Sequence, residues 1–292
     1  MPGLTATVPA TVANLGPGFD CLGMAIDLTN EISVDLDAEP GVVVEGEGRG
    51  ELPEDASNLV FRSMAYLARE AGGSLPPFRL ASRNRIPLQR GLGSSASAVV
   101  GGLLLADRLL GSGLSAERLL EVAVDLEGHA DNVAACLIGG LTLAYLSDEG
   151  WRTVPLPAHP DLRPILVIPL EERVDTQDAR RVLPTHVPRS DASFNLARAA
   201  LLVVALSERP ELLGDALQDR LHQAARLALA PSARALFAEL RGAGTPVCVA
   251  GSGPTLVAFL EPGAALPDLG PGWRVVPTTP RAAGAAVSES VA

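Results

Sequence analysis

Pro87-Leu88-Gln89-Arg90-Gly91-Leu92-Gly93-Ser94-Ser95-Ala96-Ser97 lies between Pro77 to Ile86, which reads as a strand, and an Ala/Leu-rich stretch that reads as a helix to about Leu110. Glycines in such a turn let the backbone approach a ligand, and the first turn of the following helix carries unpaired N–H groups at the positive end of its dipole. The segment is an anion cradle that needs no lysine. Its serine hydroxyls supply donors to phosphate oxygens, or a hard oxygen ligand for Mg2+. Gly91-Leu92-Gly93-Ser94-Ser95-Ala96 also satisfies the loose dinucleotide-binding pattern G-x-G-x-x-A. The helix after it, however, runs into Gly111-Ser112-Gly113 and a second helix, so no strand with a ribose-binding acid follows about 20 residues on. A plain turn is the remaining alternative.

The rest of the composition narrows the chemistry. The chain has 292 residues and is 47% apolar, enough for one large or two medium packed domains. Its 23 basic and 34 acidic residues leave a net charge of −11, which repels nucleic acid and anionic lipid. Every basic residue is arginine and none is lysine. A Schiff base, a pyridoxal anchor, a Walker A loop and a protein-kinase phosphate clamp each require lysine, so all four are excluded. Cys21, Cys136 and Cys248 are odd in number and sit in apolar stretches, which reads as reduced, buried thiols of an intracellular protein. Met1-Pro2-Gly3-Leu4 shows no basic region before an apolar segment, and so no secretion signal. The uncharged windows Gly91 to Ala106 and Asn132 to Ser147 are shorter than the roughly 20 residues of a spanning helix. The expectation is a soluble, cytoplasmic protein.

Thr5 to Val8, Asn30 to Leu36, Gly41 to Glu45 and Pro77 to Ile86 read as strands. A helix capped by Ser57 or Asn58 runs to about Ala71, and another capped by Ser115 runs to about Leu126. Asp148-Glu149-Gly150 and the prolines at 155, 157, 160 and 164 interrupt regular structure, which sets a domain boundary and divides the chain into residues 1–155 and 156–292. Beyond it the pattern gives a strand at Pro164 to Leu170 and helices at about 175–183, 191–207, 211–229 and 231–242. Strands follow around Val247 to Ala250, Leu256 to Phe259 and Trp273 to Val276, and the tail after Arg281 reads as disordered. Elements mixed without strict βαβ alternation indicate an α+β fold.

Three motifs together resemble one superfamily. Pro-x-x-x-Gly-Leu-Gly-Ser-Ser-Ala at residues 87–96 is similar to the nucleotide-binding motif of the galactokinase, homoserine kinase, mevalonate kinase and phosphomevalonate kinase superfamily. Val8-Pro9-Ala10-Thr11-Val12-Ala13-Asn14-Leu15-Gly16-Pro17-Gly18-Phe19-Asp20 resembles the first motif as homoserine kinases carry it, and Ala250-Gly251-Ser252-Gly253-Pro254-Thr255 resembles the third. Glu127-Gly128-His129-Ala130-Asp131-Asn132-Val133-Ala134 is similar to a further homoserine kinase string. The resemblance implies a two-domain α+β small-molecule kinase, with an N-terminal nucleotide-binding domain and a C-terminal ferredoxin-like α/β sandwich, often as a homodimer. It implies ATP- and Mg2+-dependent phosphorylation of the L-homoserine hydroxyl in threonine synthesis. Another small-alcohol kinase and a catalytically silent relative are the alternatives.

The resemblance also distributes roles. Pro87, Arg90, Gly91, Leu92, Gly93, Ser94, Ser95, Ala96 and Ser97 bind the triphosphate, and Asn58 sits at the adenine position, where it also reads as the helix cap. Ser95 and Glu127 share Mg2+, although Glu127 also reads as a solvated helix-end acid. Arg180 and Arg226 take the substrate carboxylate, a task suited to the planar arginine fork, and either also reads as a surface arginine. Asp20 meets the ammonium, Thr176 opens the Thr-x-x-x-Arg helix start, and Asn14 orients the site. Around Arg226 the family's Pro-Tyr reads Ala224-Ala225. Asn132 hydrogen-bonds the acceptor hydroxyl, and His129 positions nearby groups or acts as a base.

Overall fold

A computed structural model describes residues 3–261 and 263–289. Met1 and Pro2, within the leader reading, and Ser290 to Ala292, within the tail reading, lie outside the described residues. The first sheet is built from β1 (Leu4–Ala13), β2 (Leu22–Asp35), β3 (Gly41–Gly46), β4 (Arg79–Asn84), β5 (Leu141–Ser147), β6 (Gly150–Leu156) and β11 (Ala286–Glu289). Its path runs β11-β1-β2-β4-β3, with β5 joining β2 and β6 joining β5. The second sheet holds β7 (Pro164–Pro169), β8 (Val247–Val249), β9 (Leu256–Phe259) and β10 (Trp273–Pro277) in the order β10-β7-β9-β8. Counted within that half, the order is 4-1-3-2 and every pairing is antiparallel, the ferredoxin-like arrangement.

Burial explains the register. Along β1, Ala6 and Val8 are buried while Leu4, Thr5 and Thr7 are only half-buried, the alternation of a strand with one face covered. From Val8 to Ala13 every residue is buried, because the second half of the molecule covers the other face there. α1 (Leu59–Glu70), α2 (Ser94–Leu110), α3 (Ala116–Glu127) and α4 (Ala130–Ile138) pack with Ala6, Val8, Ile32 and Val34 into one core. A second core joins Ala10, Val12 and Met24 to Leu166, Ile168 and Leu202, so the two sheets share a hydrophobic seam. In the second half, α5 (Thr176–Arg181), α6 (Arg189–Ser207), α7 (Leu213–Ala216), α8 (Gln223–Leu227) and α9 (Pro231–Gly242) complete the layers.

Four expectations change. Regular structure continues through 148–156, where Asp148 and Glu149 form the two-residue turn of the β5–β6 hairpin and Pro155 lies within β6. The single helix expected over 211–229 is a 3-10 turn at Pro210–Leu212, then α7 and α8. The break between the helices is built by buried Asp219, whose carboxylate accepts the N–H groups of Leu221, His222 and Gln223. α4 has no counterpart in the sequence reading. Finally, residues 286–289 are a strand: Leu4 to Thr7 pair with Glu289 to Ala286, and Val287 packs on the first core. Among the described residues no helix is long and apolar enough to cross a membrane.

Truncation after Arg281 should lower the thermal unfolding midpoint by about 4–8 °C, because it opens the β1 edge and uncovers roughly 2 kcal/mol of apolar packing. A melt unchanged by the deletion would mean that residues 282–289 hold nothing in place.

Candidate active site

Three segments distant in sequence touch through their backbones. The Thr11 N–H donates to the Leu92 carbonyl at 3.1 Å, the Gly251 N–H donates to the Ala13 carbonyl at 3.1 Å, and Asn14 Nδ2 donates to the Gly251 carbonyl at 3.1 Å. A Cβ added at Gly91 would lie 2.1 Å from the Ala250 carbonyl oxygen, and one at Gly93 2.0 Å from Thr11 Oγ1. Both residues have φ of +71°, so close approach and backbone conformation each require glycine. α2 starts at Ser94 with Gly93 as its N-cap and no side-chain cap. The first N–H groups of the helix therefore face a cleft of about 540 Å³ unspent.

Pro87, Arg90, Gly91, Leu92, Gly93, Ser94, Ser95 and Asn58 line that cleft, whereas Ala96 and Ser97 do not. Both are fully buried beneath the loop. The Ser97 hydroxyl donates to the Ser94 carbonyl at 2.8 Å and accepts from Asn30 Nδ2, and its N–H donates to the Gly93 carbonyl, so nothing of it is left for phosphate. Arg90 spends its guanidinium on the carbonyls of Pro169 (2.9 Å), Leu170 (2.8 Å) and Leu88 (3.4 Å), which pins the loop to the end of β7. Asn58 caps α1 through Oδ1, bonded to the Val60 N–H, while its Nδ2 donates to the Pro53 carbonyl.

One wall carries an acid–imidazole row. Gly128 ends α3 in the left-handed region and His129 is extended, so the chain turns sharply into α4 and Glu127, His129 and Asn132 converge. Ser95 Oγ donates to Glu127 Oε2 at 2.8 Å, and burial pushes the Glu127 carboxyl up. His129 sits between Glu127 Oε1 at 3.6 Å and Asp131 Oδ1 at 3.1 Å. Burial disfavours its cation, but the hydrogen bond to Asp131 and the charges of Asp131 and Glu127 outweigh it and raise the imidazole above its ordinary pKa. Buried Asp131 also accepts the Asn132 N–H at 2.8 Å, and Asn132 Oδ1 accepts the Thr11 hydroxyl at 2.6 Å. Among the described residues no group of three or more His, Cys, Asp and Glu side chains is arranged for a metal. Ser95 and Glu127 instead offer a hydroxyl and a carboxylate, a donor pair that suits a hard cation completed by phosphate and water.

A further stretch of the wall carries arginines. Asp20, with φ of +56°, bonds the Arg180 fork through both oxygens at 3.2 Å, and its N–H donates to Asn14 Oδ1. Thr176, the first residue of α5, lines the cleft beside them. Arg226 is buried, with Nη1 donating to the Gly251 carbonyl at 2.8 Å and to His222 Nδ1 at 3.2 Å, and its guanidinium lies 5.3 Å from the Phe19 ring centroid. Its Nε has no partner. Arginine only donates, so His222 Nδ1 accepts and its Nε2 carries the proton to the Gly16 carbonyl at 2.8 Å. Burial lowers the His222 pKa, in keeping with this neutral tautomer.

Thus Asn14, Asp20, Asn58, Ser95, Glu127, His129, Asn132, Thr176, Arg180 and Arg226 share one cleft. Thr11, Asp131 and His222 received no role from the sequence, although Thr11 and Asp131 stood inside quoted motif strings.

Residues 58–140 match the model of the GHMP kinases N terminal domain, and residues 198–268 that of the GHMP kinases C terminal. The homoserine kinase of Mycolicibacterium vanbaalenii is 47% identical over 270 residues, covering 88% of this chain and 85% of that protein. The crystal structure of homoserine kinase from Cytophaga hutchinsonii superposes with a TM-score of 0.85 at 30% identity, covering 99% and 98% of the two chains. Mevalonate diphosphate decarboxylase from Enterococcus faecalis, at 16% identity and a TM-score of 0.68, shares the fold, with 99% of each chain covered.

The lowered His222 pKa fixes a sign. Stability drawn from the neutral imidazole is present above its ordinary 6.5 and is lost as pH falls through the lower folded value. The destabilisation caused by His222→Gln should be largest at about pH 8 and shrink toward about pH 5, read from denaturant unfolding of both proteins.

Proposed function

The chain belongs to the GHMP kinases and, among them, to the homoserine kinases, and on that premise we propose that its cleft transfers the γ-phosphoryl group of ATP to the side-chain hydroxyl of L-homoserine. The observation that carries the reading is the Asp20–Arg180 pair, which lies in the same cleft as the phosphate loop and Asn132. A zwitterionic amino acid offers one ammonium and one carboxylate, and so can replace each partner of that pair for the other without leaving a charge unmatched. The ammonium goes to Asp20, and the carboxylate to Arg180 and to Arg226, whose Nε is unpaired. Asn14 holds Asp20 in place and Thr176 borders the amino-acid end.

The N–H groups from Gly91 to Ser95 take the phosphates, with Asn58 at the base end. Ser95 and Glu127 would hold Mg2+, which when bound neutralises phosphate charge; burial of Glu127 without a full counter-charge favours a cation there. In a loose transition state the protein contributes alignment and charge rather than covalent chemistry. The acceptor oxygen bonds to phosphorus as the bridging P–O bond breaks and ADP leaves. The hydroxyl proton passes to an oxygen of the transferred group, because the Asn132 amide cannot take it and a loose transition state gains little from early deprotonation. The division into residues 1–155 and 156–292 assigns nucleotide to the first part and the arginine wall to the second. Placement in threonine synthesis, a cytoplasmic location and a homodimer complete the proposal.

Phosphate transfer is measured with homoserine, mevalonate, galactose and shikimate as acceptors, and homoserine alone should give rapid ADP release. Arg180→Ala should raise KM for homoserine by about 10- to 100-fold while KM for ATP stays within about twofold. Arg180→Lys should restore little, since an ammonium cannot replace the fork. Equal homoserine titrations for parent and variants would remove Arg180 from the substrate site. For His129→Gln we expect a measurable fraction of kcat and an acidic limb of the pH–kcat profile like that of the parent; activity at background would make His129 the base.

A further inference from the structure

Thr11 has no part in the assignment above, yet it is bonded to both the phosphate loop and the residue that faces the acceptor. It is 0% exposed near the end of β1. Its N–H donates to the Leu92 carbonyl at 3.1 Å and its hydroxyl donates to Asn132 Oδ1 at 2.6 Å. The loop presses on this contact, since a Cβ at Gly93 would fall 2.0 Å from Thr11 Oγ1 and 3.2 Å from Asn132 Oδ1. An amide has an accepting and a donating end, and the separation tells which one Thr11 meets. A distance of 2.6 Å belongs to O–H···O bonds and is shorter than the roughly 2.7–3.2 Å of N–H···O bonds. The oxygen of Asn132 therefore faces Thr11. Its Nδ2 points elsewhere and makes no hydrogen bond among the described residues, on a side chain that lines the cleft.

We infer that Thr11 is a positioning residue for phosphoryl transfer: it ties Asn132 to the phosphate loop and fixes its amide so that Nδ2 meets the acceptor oxygen as a donor. The inference rests on the homoserine kinase reading. Without the Thr11 hydroxyl the amide is free to rotate, and the acceptor loses its fixed relation to the loop that carries the γ-phosphoryl. Binding of either substrate rests chiefly on other groups, the phosphate loop for ATP and Asp20, Arg180 and Arg226 for the amino-acid end, and changes little. The effect therefore falls on kcat.

The test is a double-mutant cycle of Thr11→Val with Asn132→Ala, and Thr11→Ser as the rescue. Thr11→Val keeps the shape of the side chain and should lower kcat by roughly 10- to 100-fold, with KM for homoserine and ATP within about twofold. Thr11→Ser keeps the hydroxyl and should return kcat to within about threefold of the parent. In the Asn132→Ala background Thr11→Val should add no further loss, because its action runs through that amide. If the valine variant does not fold, Thr11→Ala is read by the same criteria on protein shown to melt cooperatively. Parental kcat in the hydroxyl-free variant overturns the inference, as does an equal loss in the Asn132→Ala background or an effect confined to KM for ATP. Failure of the unmodified enzyme to make O-phosphohomoserine overturns the substrate reading, and this inference with it.

Discussion

The backbones of residues 11–14, 91–93 and 250–253 lie against one another where glycine leaves room, and the rest of the molecule is arranged around that contact. Glycine at 91 and 93 is required by the Ala250 carbonyl and the Thr11 hydroxyl before any ligand is considered. The loop is fastened from the other side as well, by Arg90 on the carbonyls of Pro169 and Leu170 and by the Val174 N–H on the Gln89 carbonyl. An anion cradle is useful only when its N–H groups are held against thermal motion, and here both sheets hold it. The cleft is thereby a property of the junction between halves and not of either half alone.

Each charged group of the cleft has contacts within the protein. His129 sits between Glu127 and Asp131, Asp20 is closed on Arg180, and Arg226 rests on a carbonyl, a neutral imidazole and an aromatic face. Partly buried ions left alone would cost several kcal/mol each, so these contacts keep an empty cleft tolerable. Substrate exchanges one set of partners for another, which favours a ligand carrying both signs over one carrying either.

Much of this was legible from local chemistry. Asn58 and Ser115 cap α1 and α3 as expected, and the glycine-serine loop opens α2 where the sequence placed it. Resemblance brought Asn14, Asp20, Asn132, Arg180 and Arg226 into consideration, and they do meet. The failures share a cause in tertiary contact. α4 is a run of small apolar residues, Val133 to Cys136, buried as a block, so no polar alternation marks it. Asp148-Glu149-Gly150 is a hairpin turn, and a turn inside a sheet uses the same residues as a linker between domains. The break before α8 comes from buried Asp219, and β11 is four residues whose order depends on β1. Thr11, Asp131 and His222 act through partners 121, 2 and 206 residues away, so only the near one lay within reach of local spacing.

The pairing of β1 with β11 bears on how the protein is made. Leu4 to Thr7 leave the ribosome about 280 residues ahead of Ala286 to Glu289, the strand they pair with. At roughly 5–20 residues per second, the outer edge of β1 stays unpaired for on the order of tens of seconds in every nascent chain. An open strand edge is a template for another chain, and polysomes hold many copies close together. Chaperone demand should accordingly track the rate at which the ribosome translates the stretch between the two strands, and slow codons within it would lengthen the exposed interval.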